Sequence, residues 1–147
     1  MLLLRPKLTS FKQQLYNYKE ITIENASPGD VLEDGSIVVK KENGLALLAG
    51  PKSVENVCQW SKDFTGAFET LQDNGFNPSQ WFIPTREHLN LAYQNPKVRE
   101  HFTNDYHWSS TGISVACAGF QSFFDGNPGA AAKSNAFYVR PFRCVTY

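Results

Sequence analysis

The sequence predicts an α+β domain, and three observations carry that prediction. An Asn43-Gly44 pair sits between two apolar runs, apolar residues recur at spacings of three and four from Val54 to Leu71, and Gly112 to Phe137 is charge-poor without helical period. The first marks a hairpin of strands, the second an amphipathic helix, and the third a loop-rich region with short strands.

Taken in order, residues 1–20 form a polar, aromatic-bearing arm in which Phe11, Leu15 and Tyr18 share one side of a short helix. Two readings stand for it: an edge element packed on the domain, or an oligomerisation arm that makes a homo-oligomer. Ile21 to Ile23 reads as a strand, and Asp30 and Asp34-Gly35 mark turns before the hairpin SIVVKKENGLALLAG. Asn-Gly supplies the positive φ values that a type I′ turn requires. Ser53 offers an N-cap for a helix whose stripe is Val54, Val57, Trp60, Phe64, Ala67, Phe68 and Leu71. Gly66 breaks or bends it, and Gly75 is its expected C-cap. Thr85 caps a second helix with Leu89, Ala92 and Tyr93 on one face, and Pro96 stops it. Strands are expected at 116–124 and 137–145.

The 147 residues suffice for one core, and 41% hydrophobic with 19% charged residues is ordinary for a globular domain. Fourteen basic and fourteen acidic side chains cancel, and no Lys/Arg run exceeds a pair, so nothing points to nucleic acid or an anionic membrane. The apolar start of MLLLRPKL is too short for a signal core, and no later run reaches the length of a membrane span. The expected location is therefore the cytoplasm or a virion.

His88, His101 and His107 lie 13 and 6 residues apart, which fits no helical metal pair, and they read as surface or hydrogen-bonded histidines. Three cysteines make no disulfide framework, and no base is placed by sequence to activate one as a nucleophile. No cofactor, metal or enzymatic activity is expected.

The motifs WFIPT at Trp81 to Thr85, YHWSSTG from Tyr106 and FYVRPFRCV from Phe137 resemble the DUF1566 family, the lectin-like C-terminal domain of Legionella collagen-like adhesins. Gly29-Asp30, Asp34-Gly35 and Gly44 to Lys52 match the same family pattern. Over residues 21–147 the resemblance implies a C-type-lectin-like fold, with two helices, small antiparallel sheets and a loop-rich C-terminal half. It implies a binding module and no reaction. Trp81, Pro84, Trp108, Ser109, Ser110, Thr111, Tyr138, Arg140 and Arg143 carry over as framework. It also implies a staple between the first helix and the last strand, here Cys58 to Cys144, against which stand reduced, buried cysteines. Calcium-dependent sugar motifs are not matched: Asn77-Pro78 and Asn127-Pro128 lack an adjacent acid, and serines follow Trp108. Gly112 departs from the family, which often has an acidic residue there.

Several lectin-like proteins are diversified by retroelements that rewrite adenines near the gene's 3′ end. Mutated AAY codons never encode Lys, Glu, Gln, Met or Trp, and between Gly112 and Phe137 only Gln121 and Lys133 belong to that set. Ordinary composition would place about five such residues there. The candidate outward, ligand-binding positions are Gly112, Ile113, Ser114, Val115, Gly119, Phe120, Ser122, Phe124, Asn127, Gly129, Ala130, Ala132, Ser134, Asn135 and Phe137. Aromatic anchors beside small residues suit a shallow pocket for a protein or glycan partner; a closely packed small-residue loop is the alternative. The expected function is a non-enzymatic receptor or adhesion protein with a hypervariable surface. The alternatives are a fixed-specificity adhesin for surface glycans and a phage structural or tail-associated protein.

Overall fold

The computed structural model describes residues 21–147, so the expected arm lies outside the described residues. It is a mixed α+β structure of two sheets and three helices among those residues. Ile21 to Ile23 forms no strand, because the Asn25 and Ala26 N–H groups both donate to Thr22 O and turn the chain at once. The loop instead lays Ala26, Ile23 and Leu32 over Val38, Ala46 and Leu48.

Strands β1 (Ile37–Glu42) and β2 (Leu45–Ala49) form the expected hairpin, with Asn43 and Gly44 at φ 53° and 75°. The final strand, β8 (Phe142–Thr146), pairs antiparallel with β2 and completes a three-stranded sheet in the order β1-β2-β8.

The helix expected from Ser53 forms only in its second half. Lys52–Val54 is a 3-10 turn and β3 (Asn56–Gln59) is a strand, while α1 (Thr65–Asp73) begins after Phe64. The reason is tertiary: β3 pairs antiparallel along its whole length with β7 (Ala136–Val139), so its backbone bonds go across the sheet. Gly66 sits in the first turn of α1 and breaks nothing, and Gly75 follows the helix at φ 85° as expected. Phe64, Ala67 and Leu71 are buried as the stripe requires.

Helix α2 (Arg86–Gln94) starts as the sequence specified. Thr85 Oγ1 accepts from the His88 N–H, and the Thr85 N–H donates back to His88 Nδ1, a reciprocal capping box. Pro96 does more than stop a helix. It opens a third one, α3 (Pro96–Arg99), whose first turn is capped by Asn95.

The C-terminal half is rich in strands rather than loops. The Trp108–Thr111 run lies within β4 (Tyr106–Gly112), and β5 (Cys117–Ser122) and β6 (Pro128–Ala132) follow it as an antiparallel meander. With β3 and β7 they form a five-stranded sheet, order β3-β7-β4-β5-β6, in which β4 and β7 are parallel. The Trp60 N–H donates to Lys133 O, 3.1 Å, just beyond the ends of the two edge strands.

One core cluster joins the three-stranded sheet to α2 and α3 through Ile37, Leu89, Val98, Phe102, Phe123 and Phe142. A second joins α1 to the five-stranded sheet through Phe64, Ala67, Trp108, Ala118 and Val139. Among the described residues no helix is long and apolar enough to cross a membrane.

Candidate functional site

Between the two sheets lies a buried charged cluster that the sequence did not disclose. Glu55, just before β3, has a side chain only 3% exposed, and both His107 on β4 and Arg140 after β7 are fully buried beside it. Glu55 Oε2 accepts from Arg140 Nη1 at 2.8 Å and lies 3.1 Å from His107 Nε2, while Oε1 accepts from the Thr103 hydroxyl. Burial alone would raise the Glu55 carboxyl. The hydrogen bonds from His107 and Thr103, with the charges of His107 and Arg140, outweigh it and hold Glu55 well below the usual carboxylate range.

Arg140 also donates to Gly50 O and His101 O and stacks on Phe102, and His107 Nδ1 faces Asp105 O at 3.1 Å. Lys52 Nζ, on an exposed side chain, lies 3.3 Å from Glu55 Oε1, and among the described residues Arg140 Nη2 is the one buried atom of the cluster left without a hydrogen-bond partner. The cluster ties the turn before β3 to β4 and to the corner before β8, and its His107 and Arg140 side chains are closed off from solvent. Arg140 is framework, as the resemblance implied, and His107 is a hydrogen-bonded core histidine. Glu55 left no sequence signal, since a single acid among polar neighbours reads as surface.

The proposed ligand-contacting residues do not converge on one surface. Gly112, Ile113, Ser114 and Val115 are exposed at the β4–β5 turn, where Val115 is 98% accessible. Ser134 and Asn135 are exposed in the β6–β7 turn, whose Lys133 N–H reaches Ala116 O at 2.8 Å. Phe124 and Asn127 are exposed at the opposite end of the meander, and Ala130 and Ala132 are exposed on β6.

Two of the fifteen contradict the outward reading. Gly119 is buried with Arg86 and Ser109 so close that a Cβ would lie 2.8 Å from Arg86 Cδ. Ser122 is 2% exposed, and its Oγ accepts from the Phe124 and Asp125 N–H groups. Both are held by packing that any larger or non-bonding side chain would disturb.

Phe120, Gly129 and Phe137 are half-buried and belong together. In the register, Trp108, Phe120 and Gly129 lie opposite one another, so their side chains share one face, with Tyr106 two residues along β4 on the same face. The rings of Tyr106, Phe120 and Phe137 are mutually in contact, with centroids 4.6 to 5.5 Å apart. Trp108 packs beneath Phe137 at 4.4 Å and is fully buried, and the Phe120 ring lies where a Cβ on Gly129 would stand. Tyr106 remains 40% exposed.

Further along this cluster's margin, Trp60 donates from Nε1 to Ser109 O, contacts Phe64 edge-on and carries the Lys133 ammonium over its ring at 4.6 Å. Gly112 lies against the edge of the Trp60 ring, where a Cβ would come within 3.4 Å of it. Tyr106 and Trp60 are the members that the sequence reading missed. Alternation of Tyr106 with Trp108 was the available signal for one of them; Trp60 was absorbed into the expected helical stripe.

No family model matches the chain, and no curated protein matches it. All three cysteines are free, and the implied staple is not formed: Cys58 is on β3 and Cys144 on β8, in different sheets. Burial pushes the Cys58 thiol up, away from the thiolate. Among the described residues no group of three or more His, Cys, Asp or Glu side chains is placed to hold a metal ion.

Proposed function

We propose that this chain is a non-enzymatic binding domain of C-type-lectin-like fold. Its protein or glycan partner meets the face of Tyr106, Phe120 and Phe137 and the adjoining Gly112–Val115 turn, and a retroelement diversifies the 112–137 segment. The observation that carries the reading is the aromatic trio, with rings in mutual contact and still partly open to solvent. Clustered rings on a firm backing are what interface anchors require, because they bring large contact area at little cost in side-chain entropy. The order of hairpin, helices and strand-rich C-terminal half supports the fold assignment, together with the WFIPT and WSST motifs.

The test is codon-by-codon sequencing of the gene's 3′ end across a growing population of its host. Substitutions at adenines in codons 112–137 are expected, concentrated at Ile113, Ser114, Val115, Phe120 and Asn135 and sparing Gly119 and Ser122. An unchanged segment would overturn diversification and leave a fixed-specificity adhesin. The surface itself is tested by Tyr106→Ala and Phe120→Ala in a screen of protein and glycan arrays, where a hit unaffected by both changes would move the site elsewhere.

A further inference from the structure

The outer edge of the five-stranded sheet carries unpaired backbone that the aromatic face does not use. At the two ends of β6, the Ser122 N–H donates to Asn127 O and the Lys133 N–H donates to Ala116 O. With the unbroken register between them, the alternation of an antiparallel ladder turns Gly129 and Ala131 toward β5 and directs the backbone polar groups of Pro128, Ala130 and Ala132 outward. The Ala130 N–H, Ala130 O, Ala132 N–H and Pro128 O have no partner among the described residues. Ala132 O is the exception, since the Asn135 N–H and Nδ2 both donate to it.

Two other sheet edges are covered. On β1 the Gly29 N–H donates to Val38 O and the Val38 N–H to Asp30 O, and on β8 Phe142 exchanges both backbone bonds with Phe82. The β6 edge also lacks the usual guards against strand addition. Pro128–Ala132 holds no charged residue, its ladder with β5 has no bulge, and the nearby Lys133 ammonium is turned back over the Trp60 ring. Its one proline stands at an outward position, where a strand loses no bond to its own sheet. Beside Pro128, Arg86 and Glu87 line a cleft with Asn90 and Gln121, so this rim carries one charge of each sign.

We propose that β6 pairs antiparallel with β6 of a second copy of this chain, centred on Ala130, and joins the two five-stranded sheets into one. The edge is complementary to itself. Across the two-fold axis the Ala130 N–H of each copy donates to the other's Ala130 O, and each Ala132 N–H donates to the other's Pro128 O. The one bond that a proline cannot donate would fall on Ala132 O, which Asn135 already satisfies. Every open group of the edge is thereby used, and no like charges meet along the strand. That match between a missing donor and an occupied acceptor singles out a second copy over an unrelated strand. An axis perpendicular to the sheet keeps both aromatic faces on one side, so the dimer presents them as a bivalent pair; this consequence alone rests on the binding reading above.

The experiment is sedimentation equilibrium of the whole chain, with amide hydrogen exchange followed over the same concentrations. A monomer–dimer equilibrium with a dissociation constant on the order of 0.1 mM is expected, because one short strand from each copy makes a contact at the low end of specific interfaces. The Ala130 and Ala132 amides should gain protection as the dimer forms. Ala130→Pro removes both central donors while leaving the ladder to β5 intact, and should weaken association at least about tenfold with an unaltered melting temperature in dilute solution. Ala130→Lys and Ala130→Glu each set like charges face to face and should be monomeric, whereas an equimolar mixture of the two should associate again. A chain that stays monomeric at about 1 mM, a dimer that persists in Ala130→Pro, or charge variants that fail to associate when mixed would each overturn the proposal. Association through the N-terminal arm would appear as the second of these outcomes.

Discussion

The two turns of the β4–β5–β6 meander come from the same charge-poor segment and are built on opposite principles. The turn at 113–116 closes mainly on one backbone acceptor, since the Ile113 and Ser114 N–H groups both donate to Cys117 O at 3.0 Å, and Ser114 Oγ accepts from the Cys117 N–H. Its side chains point into water, Val115 almost completely. The turn at 122–127 is locked by the buried Ser122 hydroxyl, by Gln121, and by the seat of Gly126 on Tyr93. The first turn leaves its side chains free to change, and the second spends its side chains on fixing its own backbone, the Phe124 N–H included. Composition alone does not distinguish a variable surface from a rigid display.

The most disruptive way to break this contrast is to remove the frame beneath both turns. Glu55→Ala leaves Arg140 and His107 buried without their carboxylate and should cost about 3–5 kcal/mol. Denaturant titration reads the loss, and hydrogen exchange should then show both turns losing protection together.

Gly126→Ala strikes only the second turn. The positive φ and the collision with the Tyr93 ring should together cost about 2–5 kcal/mol. Chemical denaturation checks the total, and unchanged amide shifts at 113–116 would keep the first turn independent. Ser122→Ala, which orphans two N–H groups beside a buried hydroxyl site, should cost about 1–3 kcal/mol and raise exchange at Phe124 and Asp125.

Acid sharpens the comparison without a mutation. Burial lowers the His88 imidazole's affinity for protons, partly offset by Glu87, and its Nδ1 is the acceptor in the α2 capping box. A folded pKa below the unfolded one means that stability is fully present above the ordinary histidine value of about 6.5 and falls as pH drops through the folded value. Because α2 carries Tyr93, the turn at 122–127 should loosen over this window while the turn at 113–116 does not. His88→Gln keeps a side-chain acceptor at that position and should flatten the melting temperature against pH. Glu55, also depressed, adds its own loss only below the ordinary glutamate value of about 4.3.

The smallest effect belongs to the tip of the first turn. Val115→Ser should change stability by no more than about 0.5 kcal/mol in thermal melts, since nothing packs on an almost fully accessible side chain. A larger loss would mean that this turn, too, is held by its side chains.

Local chemistry made part of the fold legible. Asn43-Gly44 fixes a hairpin and Thr85 caps α2 because each acts on backbone groups within a few residues of itself. The stretch from Val54 to Trp60 misled because its spacing suits a helix, while its backbone is claimed by β7, about eighty residues away. The strand β4 was hidden in the Trp108–Thr111 run for the same reason: its partners are β5 and β7. Of the candidate site, the exposed turn residues and Phe120 with Phe137 were readable from composition; Trp60 and Tyr106, brought in by packing, were not.

By itself, the sequence determined what depends on neighbours along the chain: an α+β content, the hairpin turn, the helix starts and a segment rich in small and aromatic residues. Tertiary structure alone decided which of those aromatics face water, that Gly119 and Ser122 are buried, and that Glu55, His107 and Arg140 meet. Those outcomes rest on strand register and on contacts between residues tens of positions apart, and a one-residue change of register would turn the aromatic trio to the other face.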